Sequence, residues 1–92
     1  MEDPKSIAEL KNLGPKSQEM LAQAGITSVS QLRQIGAVAA YSKARKVNSG
    51  VSLNLLWALE SALTGEPWQD ISRKYRTSLL LALEEHEKTQ NQ

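Results

Sequence analysis

Apolar residues recur at intervals of three and four positions along most of the chain, and glycine or proline interrupts each stretch. The first stretch carries Ile7, Leu10 and Leu13 before Gly14 and Pro15 end it. This spacing places apolar side chains on one face of an α-helix, which turns once in about 3.6 residues. No segment alternates apolar and polar residues over a useful length. The pattern predicts an all-α fold, a compact bundle of five to six short helices.

Local signals predict where the next helices begin and end. Proline fits the first turn of a helix because its missing N–H would have no intrahelical partner there, so Pro15 predicts the start of a second helix. Ser28 and Gln31 have the spacing of a capping box, which predicts the start of a third helix. That helix ends at Gly36, and a fourth follows until Asn48 interrupts the pattern.

The segment Leu53–Leu63 is apolar around most of its circumference, which predicts the central buried helix of the bundle. Ser52 is positioned to cap its start, and Gly65 follows its end. Trp57 lies midway along this helix and Trp68 lies beside a proline turn. Both tryptophans are therefore predicted to be core residues and not platforms for stacking on bases.

A sixth helix is predicted after Pro67. Its apolar residues recur every four positions: Ile71, Tyr75, Leu79 and Leu83. The end of this helix, residues 84–92, is polar enough that we expect it to fray. The only histidine, His86, lies in this polar end among exposed carboxylates and lacks a second ligand-type residue other than these, so a solvated face is predicted and not a metal or catalytic site. No catalytic residue, cofactor or metal is therefore predicted, and the protein is expected not to be an enzyme.

The length and composition restrict the class of protein. The 92 residues are enough for one domain spanning 1–92, with a core over about 7–83. Cysteine is absent, which removes disulfides and thiolate metal sites. No apolar signal segment follows Met1, and the longest apolar run, Leu79–Leu83, is too short to span a membrane. A soluble cytoplasmic protein is expected.

A weak internal repeat appears at an offset of 22 residues. Residues 9–14 and 31–36 both read acid or amide, leucine, base, amide, aliphatic, glycine. The repeat predicts two tandem helix-hairpin-helix units of the SAM-like type. The copies diverge after the glycine, since Pro15, Lys16 and Ser17 in the first are replaced by alanine, valine and alanine in the second. The first hairpin is therefore the one expected to bind a polar ligand.

The charge is unevenly distributed although the net charge is only +1. Residues 10–59 hold six bases and one acid, whereas residues 1–9 and residues 60–92 each sum to −2. Such a basic block can form a positive face for an anionic polymer, and an ordinary solvated surface explains it equally well.

The segment Asn12-Leu13-Gly14-Pro15-Lys16-Ser17 has the composition of an anion-binding hairpin. Gly14 lets the backbone approach a phosphate closely. The following helix then presents free N–H groups and the positive end of its dipole beside the Lys16 ammonium and the Ser17 hydroxyl. Contacts of this kind hold a sugar-phosphate backbone but read no bases. A purely structural turn is the alternative interpretation of the same residues.

The string NLGPKS resembles the hairpin of helix-hairpin-helix DNA-binding modules, with Asn12 where the first glycine is usual. Over most of the chain, LGPKSQEMLAQAGITSVSQLRQIGAVAAY followed by VSLNLLWALESALTG resembles the C-terminal domain of the TfoX (Sxy) family of bacterial competence regulators. The resemblance implies a role in controlling DNA-uptake genes, as a coactivator with the cyclic-AMP receptor protein at promoters.

The predicted function is a non-catalytic regulatory module that binds double-stranded DNA. The candidate contact residues are Lys11, Asn12, Gly14, Lys16, Ser17, Arg33, Lys43, Arg45 and Lys46. For the last three, stabilisation of a helix C-terminus is the competing explanation. The alternative function is a protein-interaction module of the same fold that engages a transcription factor or RNA polymerase without touching DNA.

Overall fold

The computed structural model describes Ile7, Leu10 and residues 13–90, and this part of the chain contains helices and no strands. The predicted all-α fold is confirmed. The five helices are α1 (Pro15–Gln23), α2 (Val29–Val47), α3 (Leu53–Thr64), α4 (Trp68–Lys74) and α5 (Arg76–Gln90). Most of the helix predicted before Gly14 lies outside the described residues, although Ile7, Leu10 and Leu13 are buried. None of the helices in these described ranges is long and apolar enough to cross a membrane.

Helix α3 lies at the centre of the bundle, as its sequence predicts. Its residues from Leu55 to Leu59 are all buried, including Trp57 at 3% exposure. Helices α2 and α4 pack against it. Because each of these side chains leaves water, α3 supplies much of the apolar burial that stabilises the fold. Trp68 is partly buried against the same core.

The predicted helix boundaries at Pro15, Ser28 and Gly65 are confirmed. Pro15 occupies the first turn of α1. At the start of α2, the Gln31 N–H donates to the Ser28 hydroxyl over 3.1 Å, and the Ser28 N–H donates to the Gln31 side chain over 3.2 Å. This pair is a complete capping box, which satisfies amides that the first turn leaves without partners. Ser52 is the N-cap of α3, but its side chain makes no capping hydrogen bond.

The third and fourth predicted helices form one element, α2, bent at Gly36. This residue has φ 84° and ψ 168°, whereas the residues on either side are helical. Side chains are almost never tolerated in that region of backbone space, so glycine is required at the bend. The bend redirects the second half of α2 toward α5, with which α2 is in contact.

The prediction of one continuous helix from Ile71 to Leu83 is wrong, because the chain breaks at Tyr75 between α4 and α5. Tyr75 has φ −110° and ψ 6°, and 40% of it is exposed. Four-residue spacing advances each side chain by about 40° around a straight helix, so the predicted stripe would turn away from any single neighbour. The break instead lets α4 pack on α3 while α5 packs on α2. Helical geometry continues through the polar end of α5 to Gln90.

Candidate nucleic-acid interface

The first hairpin presents an open backbone surface at Gly14. Leu13 is buried and donates its N–H to the Leu10 carbonyl over 3.1 Å, which anchors the turn to the core. Gly14 is the N-cap of α1 with φ −131° and ψ −171°, a conformation that any residue adopts. A Cβ built at Gly14 meets nothing within 4 Å. Neither the backbone nor a neighbouring atom therefore requires glycine at this position.

The N-terminal turns of α1 and α3 meet around a depression of about 420 Å³, called here the α1–α3 depression. Its lining residues are Lys16, Ser17, Met20, Asn48, Gly50, Val51, Ser52, Asn54 and Leu55. Sequence reasoning found Lys16 and Ser17 but not the residues of the second wall, which follow more than 30 positions later. The Asn48-Ser49-Gly50 break and the Ser52 cap were visible signals, but nothing local shows that this turn faces the first hairpin.

Both helices leave the amides of their first turn without side-chain caps. Gly14 has no side chain to offer, and Ser52 makes no capping hydrogen bond. Neither helix has an acidic residue in its first turn. Within residues 13–90, the first turn of each helix therefore holds no acidic side chain that offsets the partial positive charge of its N-terminus. Two such ends beside one depression create a positive potential to which an oxyanion is attracted.

Lys16 adds a full positive charge to this depression. The side chain is exposed and, within residues 13–90, has no acidic partner. Ser17, half-buried beside it, offers a hydroxyl. The depression thus brings an ammonium and a hydroxyl together with the first turns of two helices, a combination that suits a phosphate.

The predicted contact residues on α2 do not join Lys16 in this depression. Lys43 lines a separate depression with Gly25, Gln31 and Gln34, and Lys46 is exposed one helical turn further along α2. Arg33 is exposed on the first half of α2. Lys11 and Asn12 lie outside the described residues. Lys43 and Lys46 therefore form a second basic region, on α2, while the first hairpin carries Lys16.

Arg45 contacts an acidic residue of another helix. Its Nη2 donates to both carboxylate oxygens of Glu87 on α5. The Arg45 Cζ also lies 5.8 Å from the centre of the Tyr41 ring, within the range of a cation–π contact. The structure thus places Arg45 at the α2–α5 contact, not in the depression beside Lys16.

The second copy of the repeat lies within α2, at the bend at Gly36. Val38 and Ala39, which correspond to Lys16 and Ser17 in the repeat, line a depression of about 450 Å³ against α5, called here the α2–α5 depression. Its lining residues are Ile35, Val38, Ala39, Ala82, Glu85, His86 and Thr89. The second copy thus offers two apolar side chains where the first offers an ammonium and a hydroxyl.

Residues 3–83 match the model of a known protein family described as the TfoX C-terminal domain. The chain belongs to this family. It is also 37% identical over 79 residues to the DNA transformation protein TfoX of Haemophilus influenzae. That alignment covers 86% of this chain and 36% of the relative, so the chain spans little more than a third of the relative's length. The resemblance drawn from the sequence is confirmed.

Two crystal structures of Listeria monocytogenes proteins share the fold of this TfoX C-terminal domain. An uncharacterized protein in a triclinic crystal form has a TM-score of 0.76 at 27% identity, over 89% of this chain and 93% of that one. A protein of unknown function in a tetragonal form has a TM-score of 0.72 at 29% identity, over 79% and 90% of the two chains. The helical arrangement is thus shared across nearly the whole length of these proteins.

Among the described residues of the TfoX C-terminal domain, the Glu60 carboxyl is perturbed by its environment. Partial burial on α3 raises the pKa of the Glu60 carboxyl, because burial disfavours its charged form. Glu60 lines a depression of about 250 Å³ with Thr64, Glu66, Ile71 and Tyr75. No group of three histidine, cysteine or acidic side chains that could hold a metal ion occurs in the described part of the chain.

Proposed function

We propose that this TfoX C-terminal domain is a non-catalytic regulatory module that binds the sugar-phosphate backbone of double-stranded DNA through the α1–α3 depression. The observation that carries the proposal is the meeting of two uncapped helix N-termini with Lys16 around one open surface. The relative from Haemophilus influenzae is a DNA transformation protein, which supports a role in the control of DNA uptake.

The proposed contact is independent of DNA sequence. Backbone N–H groups, a hydroxyl and one ammonium recognise phosphate oxygens but present no pattern that distinguishes bases. Because few phosphates are contacted, we expect binding in the range of about 10⁻⁴ to 10⁻⁶ M with a strong dependence on salt. The domain therefore acts beside a partner already bound at a promoter, such as the cyclic-AMP receptor protein or RNA polymerase.

Protein interaction without DNA contact is the second candidate function. The α2–α5 depression favours it, because four of its lining residues are apolar: Ile35, Val38, Ala39 and Ala82. In that case the first hairpin serves only as a turn, and removal of Lys16 has no effect on complexes with DNA. The two candidates therefore differ in a single measurable property, the dependence of DNA affinity on Lys16.

The test is a fluorescence-anisotropy titration of a labelled duplex at low salt with the wild type, Lys16→Ala and Lys88→Ala. Lys88 is an exposed lysine near the end of α5, so its removal changes the net charge equally without altering the depression. We expect Lys16→Ala to weaken binding and to reduce the salt slope by about one unit, because one phosphate contact is lost. Lys88→Ala should change both quantities much less.

Two unrelated duplex sequences should give the same affinity, since bases are not read. Absence of binding at tens of micromolar protein would overturn the proposal. Equal loss in Lys16→Ala and Lys88→Ala would do the same, because binding would then reflect net charge and not this depression. In either case the protein-interaction function would stand.

A further inference from the structure

Helix α5 places an acid against a basic residue of α2. Glu87 lies 42 positions after Arg45 in the sequence, yet both of its carboxylate oxygens accept hydrogen bonds from Arg45 Nη2. The hydroxyl of Ser42, itself buried, is 3.5 Å from the same carboxylate. The ring of Tyr41 lies beside the guanidinium. The contact is therefore a defined cluster that joins the polar end of α5 to the last turns of α2.

The cluster is accessible to a competing anion. The side chain of Arg45 is 40% exposed and that of Glu87 is 25% exposed. A guanidinium has five N–H donors, and the recorded bonds to Glu87 come from Nη2 alone. Carboxylate and phosphate both accept charge-assisted hydrogen bonds from arginine. Glu87 thus occupies Nη2 of Arg45, a donor from which a DNA phosphate would also accept.

Arg45 lies among the basic residues of α2 that are predicted to contact DNA. Arg45 and Lys46 form the basic last turn of α2, and Lys43 lies one turn before Lys46. Asn48, which follows this turn, lines the α1–α3 depression. The carboxylate of Glu87 therefore places a negative charge beside the basic last turn of α2.

We propose that Glu87 is an autoinhibitory residue that lowers the affinity of this domain for DNA by occupying Arg45. The proposal rests on the DNA-backbone function proposed above and adds a mode of regulation to it. When the end of α5 moves away, Arg45 becomes available to a phosphate and the adjacent negative charge is removed. A DNA polyanion and the α5 carboxylate thus compete for one guanidinium.

The experiment compares Glu87→Gln with Glu84→Gln in the same duplex titration. Both changes remove one negative charge from α5, and Glu84 is exposed. We expect Glu87→Gln to bind more tightly than Glu84→Gln, with a salt slope steeper by about 0.9. That slope makes the advantage of Glu87→Gln grow about threefold between 150 and 50 mM salt. Glu87→Asp, which keeps the charge but shortens the side chain, should also tighten binding.

Arg45→Ala tests whether the tighter DNA binding of Glu87→Gln depends on the Arg45 guanidinium. We expect it to abolish the difference between Glu87→Gln and the wild type, and to change wild-type affinity little. Thermal melting without DNA confirms that each variant is folded at the temperature of the titration.

The possible failures are distinguishable. If the wild type binds DNA in a Lys16-dependent manner but Glu87→Gln behaves as Glu84→Gln, the autoinhibitory role is overturned and the cluster is only structural. The same conclusion holds if Arg45→Ala leaves the gain intact. If no variant binds DNA, the proposed function fails and this inference fails with it.

Discussion

The two copies of the sequence repeat perform different structural tasks in the folded domain. Gly14 has an ordinary φ of −131° and open space around its Cα, whereas Gly36 has φ 84° and bends α2. The residues after Gly14 line an open depression, and those after Gly36 face α5. The two glycines thus have different roles. Gly36 adopts a backbone conformation that other residues rarely tolerate, and Gly14 leaves the surface at the start of α1 open.

This difference supports the proposed function of the first hairpin. At Gly36 the backbone alone explains glycine, so no ligand is needed to account for it. At Gly14 the chain tolerates a side chain, and a serine or aspartate would be the better helix cap. What glycine adds at that position is unobstructed access to the first turn of α1, which a bound phosphate requires.

The largest expected difference between the copies concerns the aliphatic residue before each glycine. Leu13 is buried at 6% exposure, whereas Ile35 is only partly buried. Leu13→Ala should lower the free energy of unfolding by about 2 to 5 kcal/mol, and Ile35→Ala by less. Urea denaturation measures both values. Equal losses would show that the two copies of the repeat are anchored to the core alike, contrary to the structure.

The same substitution at the two glycines should have effects of opposite sign. Gly36→Ser is expected to destabilise the domain by about 1 to 3 kcal/mol, because serine is strained at positive φ. Gly14→Ser should raise stability by a few tenths of a kcal/mol, since serine is a better N-cap than glycine. Thermal unfolding of the two variants gives the comparison. A loss at Gly14 as large as that at Gly36 would contradict the backbone geometry.

The smallest expected difference in stability is between two substitutions at Gly14 that differ in charge, and this pair tests DNA binding by the first hairpin. Gly14→Asp and Gly14→Asn introduce side chains of nearly equal shape and capping strength, so both should stabilise α1 by about a few tenths of a kcal/mol. Only the aspartate places a negative charge beside Lys16. Duplex titration should therefore give weaker binding for Gly14→Asp than for Gly14→Asn. Indistinguishable affinities would show that this hairpin does not contact DNA.

The helix ends that depend on adjacent residues could be predicted from the sequence. Pro15, the Ser28 and Gln31 pair, and Gly65 act through bonds and dihedral angles within one or two turns. Their chemistry is complete before the chain folds. The central position of α3 was equally predictable, because a helix that is apolar on most sides has to be surrounded.

Features that depend on packing between distant segments could not be predicted. The sequence around Tyr75 does not indicate that α4 and α5 pack against different helices. The approach of Asn54 to Lys16 depends on how α1 and α3 lie together. Likewise, α5 carries several acidic residues, and only its packing on α2 determines that Glu87 is the one that contacts Arg45. These contacts include the second wall of the candidate site and its proposed regulation.

Helix α2 packs against α1, α3 and α5, so it links elements that are distant in the chain. Detaching any one of those three helices exposes part of the face of α2 on which the others depend. We therefore expect the domain to lose its structure cooperatively, without a stable half-folded species. Tryptophan fluorescence, which reports on Trp57 in α3 and Trp68 at the start of α4, and far-ultraviolet circular dichroism, which reports on all the helices, should follow the same melting curve.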